Sequence, residues 1–305
     1  MSIPDPQTYS FRQILVDGII SPWQFLGLSI SFVPGTILRL IRSGSYLTLL
    51  SPSRFQDSWF GDFWATVGPE VRKNAGAKVV PLLDGRTRDG KIYDEVVGPA
   101  VSGTVIEVGP GSGLWVSVFS DRTTALSDLT KDEKDTGLRK RSPDARVTKV
   151  YGVEPNPDMH ERLHQRVRDA GLEDIYEVVP VGIEELSSSG RVEKGSVDCI
   201  VSILCLCSIP DPEKNIKELY TYLKPGGRWY VYEHVKTQPW QGWFINLYQV
   251  LLNVFWPRCI GGCQLRRDTG KTLREAGPWS HVDFAPFKQE TWYNVCPHSV
   301  GVFTK

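Results

Sequence analysis

Thr104-Val105-Ile106-Glu107-Val108-Gly109-Pro110-Gly111-Ser112-Gly113 is the stretch on which the fold turns. Its first half, four β-branched side chains and one carboxylate, reads as a strand covered on both faces. Its second half alternates glycine with small residues. Glycine lets a backbone turn with positive φ and approach a ligand with no Cβ in the way. The pattern predicts a strand, a tight loop and the start of a helix whose free N–H groups face a ligand. Dinucleotide folds carry G-x-G-x-x-G at this point. Here the spacing is G-x-G-x-G, and an acid stands two residues upstream. A carboxylate beside the loop repels a pyrophosphate and suits a cationic, amino-acid-like ligand.

Outward from that loop, β-branched runs alternate with helical ones, the signature of βα units on a parallel sheet. Lys149 to Glu154 reads as a second strand, ending in a carboxylate that can accept both hydroxyls of a ribose. A charged run over 121–148 separates it from the glycine loop. That run reads as a solvated surface insertion, which explains why the usual spacing of about twenty residues is exceeded. A helix follows through Met159, Leu163, Val167 and Ala170. Ile175 to Val181 and Val197 to Leu206 are the third and fourth strands. A second helix opens at Asp211-Pro212-Glu213 and is stopped by Lys224-Pro225-Gly226-Gly227, and Trp229 to Val235 is the fifth strand. Gln264 to Ala276 reads as a helix, with His281 to Phe287 and Ser299 to Thr304 as a closing hairpin.

Composition narrows the function. The chain has 305 residues, with 35 basic and 35 acidic side chains and a formal net charge of zero. A nucleic-acid binder needs a basic surplus to displace counterions, so nucleic acid is excluded as a partner. Six cysteines are too sparse for a disulfide scaffold, and their spacing gives no zinc knuckle, so a reduced, intracellular protein without a metal is expected. Met1 to Ser10 lacks the basic start of a secretory leader. Residues 1 to about 100 are aromatic-rich and turn-rich. Within them Ile14 to Ile41 is mostly apolar but interrupted by Pro22 and Pro34, and reads as an interfacial or core-packed segment rather than a span. Trp240 to Trp256 repeats apolar residues at helical spacing: a core helix, the roof of an apolar pocket, or a membrane-facing patch.

Taken as an ordered set, Glu107-x-Gly109-x-Gly111-x-Gly113, Glu154-Pro155-Asn156-Pro157, Gly195-Ser196-Val197-Asp198 and Leu223-Lys224-Pro225-Gly226-Gly227 resemble the signatures of class I S-adenosylmethionine-dependent methyltransferases, type-11 branch. Leu204-Cys205-Leu206-Cys207-Ser208, Tyr232-Glu233-His234-Val235, Gly262-Cys263-x-Leu265 and Pro297-His298 further resemble the small membrane-associated thiol methyltransferases. Fungal natural-product methyltransferases share the branch. The likeness covers roughly residues 100 to 305.

The resemblance implies a Rossmann-like α/β domain over 101–305, with a seven-stranded sheet whose last strand is antiparallel. The N-terminal 1–100 becomes a helical or irregular extension serving as lid, acceptor wall or membrane contact. It implies S-adenosylmethionine as cofactor. Gly109, Gly111 and Gly113 would pass beneath its methionine part, with Glu107 near the ammonium. Glu154 would hold the ribose, with Pro155, Asn156 and Met159 alongside. Gly182 and Ile183 would border the adenine, and Cys205 and Leu206 would close over the cofactor. His234, at a strand end facing the ligand crevice, is the first candidate general base, and His298 the second. The expected function is methyl transfer to a thiol, hydroxyl or amine of a small, rather apolar molecule, in keeping with secondary metabolism. The expected location is cytoplasmic, with peripheral contact to an intracellular membrane through 14–41 or 240–256. Two other readings stand beside it: a non-catalytic cofactor-binding membrane scaffold, and an NAD(P)-dependent oxidoreductase.

Overall fold

The computed structural model describes residues 9–120 and 146–305. A small hairpin, β1 (Thr87–Arg88) and β2 (Lys91–Ile92), precedes the main sheet. That sheet is built from β3 (Gly103–Val108), β4 (Val147–Val153), β5 (Tyr176–Val179), β6 (Val197–Ile203), β7 (Leu223–His234), β8 (His281–Pro286) and β9 (His298–Thr304). Their order is β5-β4-β3-β6-β7-β9-β8. Neighbours from β5 to β7 pair in parallel, and β9 runs antiparallel between β7 and β8. This is the seven-stranded α/β arrangement expected from the motifs.

The helices lie on both faces, in chain order α1 (Ser21–Ser31), α2 (Val33–Arg42), α3 (Pro52–Leu83), α4 (Pro157–Asp169), α5 (Ile183–Ser189), α6 (Pro212–Tyr222), α7 (Gly242–Leu252) and α8 (Thr269–Arg274). Strand alternation divides the core accordingly. Val105, Val150, Cys199, Val201, Tyr230 and Tyr232 face α3 and α4, which contribute Val79, Leu82, Leu83, Leu163 and Val167. Ile106, Val153, Ile200, Trp229 and Val231 face the other layer, with Leu186, Ile216, Leu219 and Leu273. A third cluster joins Leu26 and Phe63 of the N-terminal helices to Cys207, Leu252, Trp256 and Leu265. Each large apolar side chain buried this way contributes roughly 1.5–3 kcal/mol.

The expected N-terminal extension is helical over most of 11–83. Phe11 to Arg42 is helical almost throughout, with Pro22 and Pro34 placed in the first turns of α1 and α2. Next, α3 is one 32-residue helix despite Pro69 and Pro81. The helix expected over Gln264–Ala276 shrinks to the six residues of α8, capped by Asp268, whose side chain accepts from the Lys271 N–H. Finally, the glycine loop opens onto turns and a short 3-10 segment, Val116–Phe119, rather than a full helix. The charged insertion falls mainly on 121–145, outside the described residues, and β4 has already begun at Val147.

Candidate active site

The loop after β3 has the geometry its glycines predict. Gly109, Gly111 and Gly113 all sit at positive φ, at 61°, 56° and 83°. At Gly113 a Cβ would lie 2.9 Å from Leu163 Cδ1, and at Gly109 it would collide with the Cys205 thiol. These two positions therefore need glycine for both backbone conformation and space.

Two buried carboxylates lie under the loop. Glu154, at the end of β4, is 6% exposed. Its Oε2 accepts the Gly111 N–H at 2.8 Å and its Oε1 accepts the Asn156 N–H at 2.9 Å. Burial raises its pKa even so, against the pull of those two donors. Each oxygen keeps a further lone pair, as a ribose diol requires. Glu107 is enclosed, and its Oε2 accepts the Tyr176 hydroxyl at 2.6 Å. Burial pushes its pKa to about 7, with the charge of Glu154 adding to the rise and the Tyr176 bond opposing it. Two acids in a dry pocket suit a cation and leave a pyrophosphate without a counter-charge. The residues present therefore fit a sulfonium nucleoside carrying an ammonium group.

The other predicted cofactor residues gather here. After Pro155, Asn156 caps α4, its Oδ1 accepting the Asp158 N–H at 3.0 Å, while its Nδ2 donates to the Asp57 carbonyl. Met159 is buried one turn on. Gly182 precedes Ile183 at the start of α5, and the Glu184 carboxylate folds back over it; a Cβ on Gly182 would lie 2.6 Å from Glu184 Cδ. Cys205 and Leu206 form the loop after β6, whose entry residue Leu204 has φ 53°.

That loop is held by a residue whose role the motif reading left unassigned. Glu233, in β7, is fully buried, and its Oε1 accepts the N–H groups of Cys205 at 3.0 Å and Leu206 at 2.9 Å. Among the described residues its Oε2 is buried with no hydrogen bond of good geometry, and burial raises its pKa to about 7. Arg267 completes the clamp by donating to the Leu206 carbonyl at 2.6 Å. A carboxylate inside a doubly covered strand is itself the sequence signal, because such a group is buried only where donors await it.

The N-terminal helices roof the same end of the sheet. Trp64 of α3 stands over the glycine loop, its Nε1 3.8 Å from where a Gly111 Cβ would be. Ser58 donates to Asp158 at the head of α4. Asp62 of α3 accepts from Arg39 at 3.0 Å and from Thr36 at 2.7 Å, tying α2 to α3.

The structure brings the two candidate bases together. The rings of His234 and His298 are 4.5 Å apart, and His298 stacks on Tyr232 at 4.7 Å and 7°. His298 Nδ1 bonds Glu290 Oε1, and its backbone N–H donates to Glu290 Oε2 at 2.8 Å. Lys78 of α3 lies 3.9 Å from the same carboxylate. Nδ1 of His234 is buried with no hydrogen bond of good geometry. Burial, and secondarily His298, hold its pKa well below the ordinary 6.5, so it is neutral at neutral pH.

Comparison with known proteins agrees with this geometry. The family described as a methyltransferase domain matches residues 85–270. Thiol S-methyltransferase TMT1B of Rattus norvegicus is 33% identical over 164 residues, covering 52% of this chain and 62% of that protein, so the chain spans under two thirds of that relative's length. Thiol S-methyltransferase TMT1A of Homo sapiens is 27% identical over 217 residues, covering 69% of this chain and 74% of that protein. Among solved structures, an O-methyltransferase family protein from Burkholderia thailandensis superposes with a TM-score of 0.51 at 13% identity, over 92% of this chain and 72% of that one, a likeness of fold alone. With the family matched over more than half its length, the chain belongs to the methyltransferase-domain family, as a class I S-adenosylmethionine-dependent methyltransferase of the type-11 kind.

Proposed function

We propose that the protein transfers the methyl group of S-adenosylmethionine to a small, rather apolar acceptor, and that a thiol is the acceptor it serves best. The carrying observation is His234, a neutral imidazole beside the His298–Glu290 pair. S-adenosylmethionine supplies an already activated methyl on a sulfonium, so the chain's task is to align the acceptor, exclude water and take one proton. Held by the residues of this site, S-adenosylmethionine would supply its methyl to an aligned acceptor sulfur, and His234 would take the thiol proton. A thiol, with an ordinary pKa near 8.5, gives up its proton more readily than a phenol near 10. Of those two the thiol asks less of a base whose pKa burial holds down. Its similarity to the thiol S-methyltransferases TMT1B and TMT1A supports the same choice.

In this reading Glu107, the Gly109-Gly111-Gly113 loop, Glu154, Pro155, Asn156 and Met159 hold the cofactor. Gly182, Ile183, Cys205 and Leu206 border its base. The first hundred residues, through Trp64 and α3, wall the acceptor side. An apolar acceptor fits an apolar exterior. Trp243, Phe244, Leu247 and Leu251 of α7 are 77%, 55%, 49% and 55% exposed, and Trp23, Leu28 and Ile30 of α1 are exposed as well. Trp23 packs on Phe255 at 5.7 Å, and Tyr248 of α7 donates to the Ile19 carbonyl at 2.6 Å, which ties the N-terminal segment to the α7 region. Phe11–Arg42 is long and apolar enough to cross a bilayer, its most apolar 18 residues having a mean hydropathy of 1.4, yet its inner side is tied to α3 and α7. That apolar exterior lies in the interface of an intracellular membrane, with the rest of the protein in the cytoplasm.

The test is transfer of labelled methyl from S-adenosylmethionine to a panel of thiols, phenols and amines. Thiol products are expected to dominate; transfer to oxygen or nitrogen alone overturns the acceptor assignment. For the membrane face, flotation with anionic liposomes should be lost when Trp243, Phe244 and Leu247 are changed to serine, and retained flotation of that variant rejects the contact.

A further inference from the structure

Glu107 is the acid the cofactor reading depends on, and its ionisation is governed from a neighbouring strand that no motif marks. Tyr176 opens β5, at the edge of the sheet. Its ring crosses β4 at Gly152, the residue that pairs with Glu107 in the β3–β4 register. A Cβ on Gly152 would lie 2.7 Å from the Tyr176 ring carbons Cε1 and Cζ, so only glycine leaves the passage open. Through it the hydroxyl reaches Glu107 Oε2 at 2.6 Å. On the other flank Glu107 pairs with apolar Val201 of β6. The titratable groups acting on Glu107 are Tyr176 from β5 and Glu154 from the end of β4; Arg166 of α4 is turned to the Ser112 carbonyl and hydroxyl at 2.6 and 2.7 Å.

We propose that Tyr176 is the positioning residue of Glu107: reaching through the gap at Gly152, it fixes the acid's carboxylate in the ionised form that a cationic cofactor requires. The inference rests on the reading that the site takes S-adenosylmethionine. Its logic is simple. An enclosed carboxylate beside a second carboxylate tends to hold a proton. A hydroxyl donor favours the charged form. Burial and the charge of Glu107 push the Tyr176 pKa well above 10, so the group remains a donor across the working range. A protonated Glu107 offers the cofactor's positive charge nothing, so cofactor affinity should follow the ionisation of this one acid.

Tyr176→Phe keeps the ring, its packing and the passage, and removes only the hydroxyl. Loss of a hydrogen bond to an ionised group moves a titration up by about one to two pH units. Calorimetric titration with S-adenosylmethionine from pH 6 to 9 should then show a roughly 5- to 50-fold weaker affinity than wild type at pH 7, closing to about twofold or less by pH 9 when the shift is near one unit. Gly152→Ala, which blocks the passage, should reproduce the same profile. Without any ligand, the carboxyl carbon of Glu107, followed by NMR on glutamate-labelled protein, should titrate near 7 in wild type and later in Tyr176→Phe.

A structural role for the tyrosine would weaken binding by one factor at every pH. That outcome, or an unmoved Glu107 titration, overturns this proposal and leaves the cofactor reading standing. Failure of wild type to bind S-adenosylmethionine at any pH overturns both.

Discussion

Glu154→Gln is the sharpest probe of the cofactor site, because the structure makes a nominally conservative change severe. Both carboxylate oxygens are in use, Oε2 by the Gly111 N–H and Oε1 by the Asn156 N–H. Glutamine has one oxygen, so one of those two donors must face an amide NH₂. An unmet donor costs about 1–3 kcal/mol. Relief comes only from moving the tip of the glycine loop or the turn entering α4, the two segments that flank the ligand. On the proposed cofactor reading, charged hydrogen bonds to the ribose hydroxyls would be lost as well. Against this, a neutral side chain escapes the burial that raises the Glu154 pKa. Folding stability should therefore change less than binding. The expected result is a 10- to 100-fold loss of affinity, about 1.4–2.7 kcal/mol, for S-adenosylmethionine and for its demethylated product alike. The urea midpoint should stay close to wild type. Isothermal calorimetry with both ligands, paired with urea melts, makes the measurement. Affinity within twofold of wild type would refute the ribose assignment.

Glu233 should show itself in the pH dependence of stability. Its folded pKa of about 7 lies above the unfolded 4.5, so its contribution is complete below pH 4.5 and is lost as pH rises through 7. Glu233→Gln cannot lose what it never ionises: denaturant melts should find it about 1–3 kcal/mol more stable than wild type at pH 8, with the gap closing at pH 5. A gap that does not depend on pH would mean that Glu233 is uncharged throughout. His234→Ala should lower turnover about 10²- to 10⁴-fold while cofactor affinity stays near normal. Turnover that persists at every pH would make the histidine a packing residue.

How much of this was legible in the sequence varies by element. The run from Thr104 to Gly113 announces strand, loop and acid, and each is found in place. Glu154 follows from its position at the end of a strand, and the helix over Pro157–Asp169 from the spacing of Met159, Leu163 and Val167. Within α3, Pro69 and Pro81 hide a 32-residue helix, because tertiary burial of Val79, Leu82 and Leu83 outweighs what proline costs locally. Gln264 to Leu265 is not helical because the Leu265 N–H is taken by Asn253 Oδ1 at 2.7 Å and the Gln264 N–H by the Cys207 carbonyl at 2.9 Å.

The sequence by itself determined the alternation of strands and helices, the glycine loop and its flanking acid, since these depend on residue type and local spacing. Only the tertiary structure decided which groups meet. Tyr176 and Glu107 lie 69 positions apart, Cys205 and Glu233 lie 28 apart, and His234 meets His298 through pairing of β7 with β9. Such meetings depend on register between distant strands and on the space left by one glycine. Neither is written in any local pattern, because a side chain's partner is set by where the sheet delivers it.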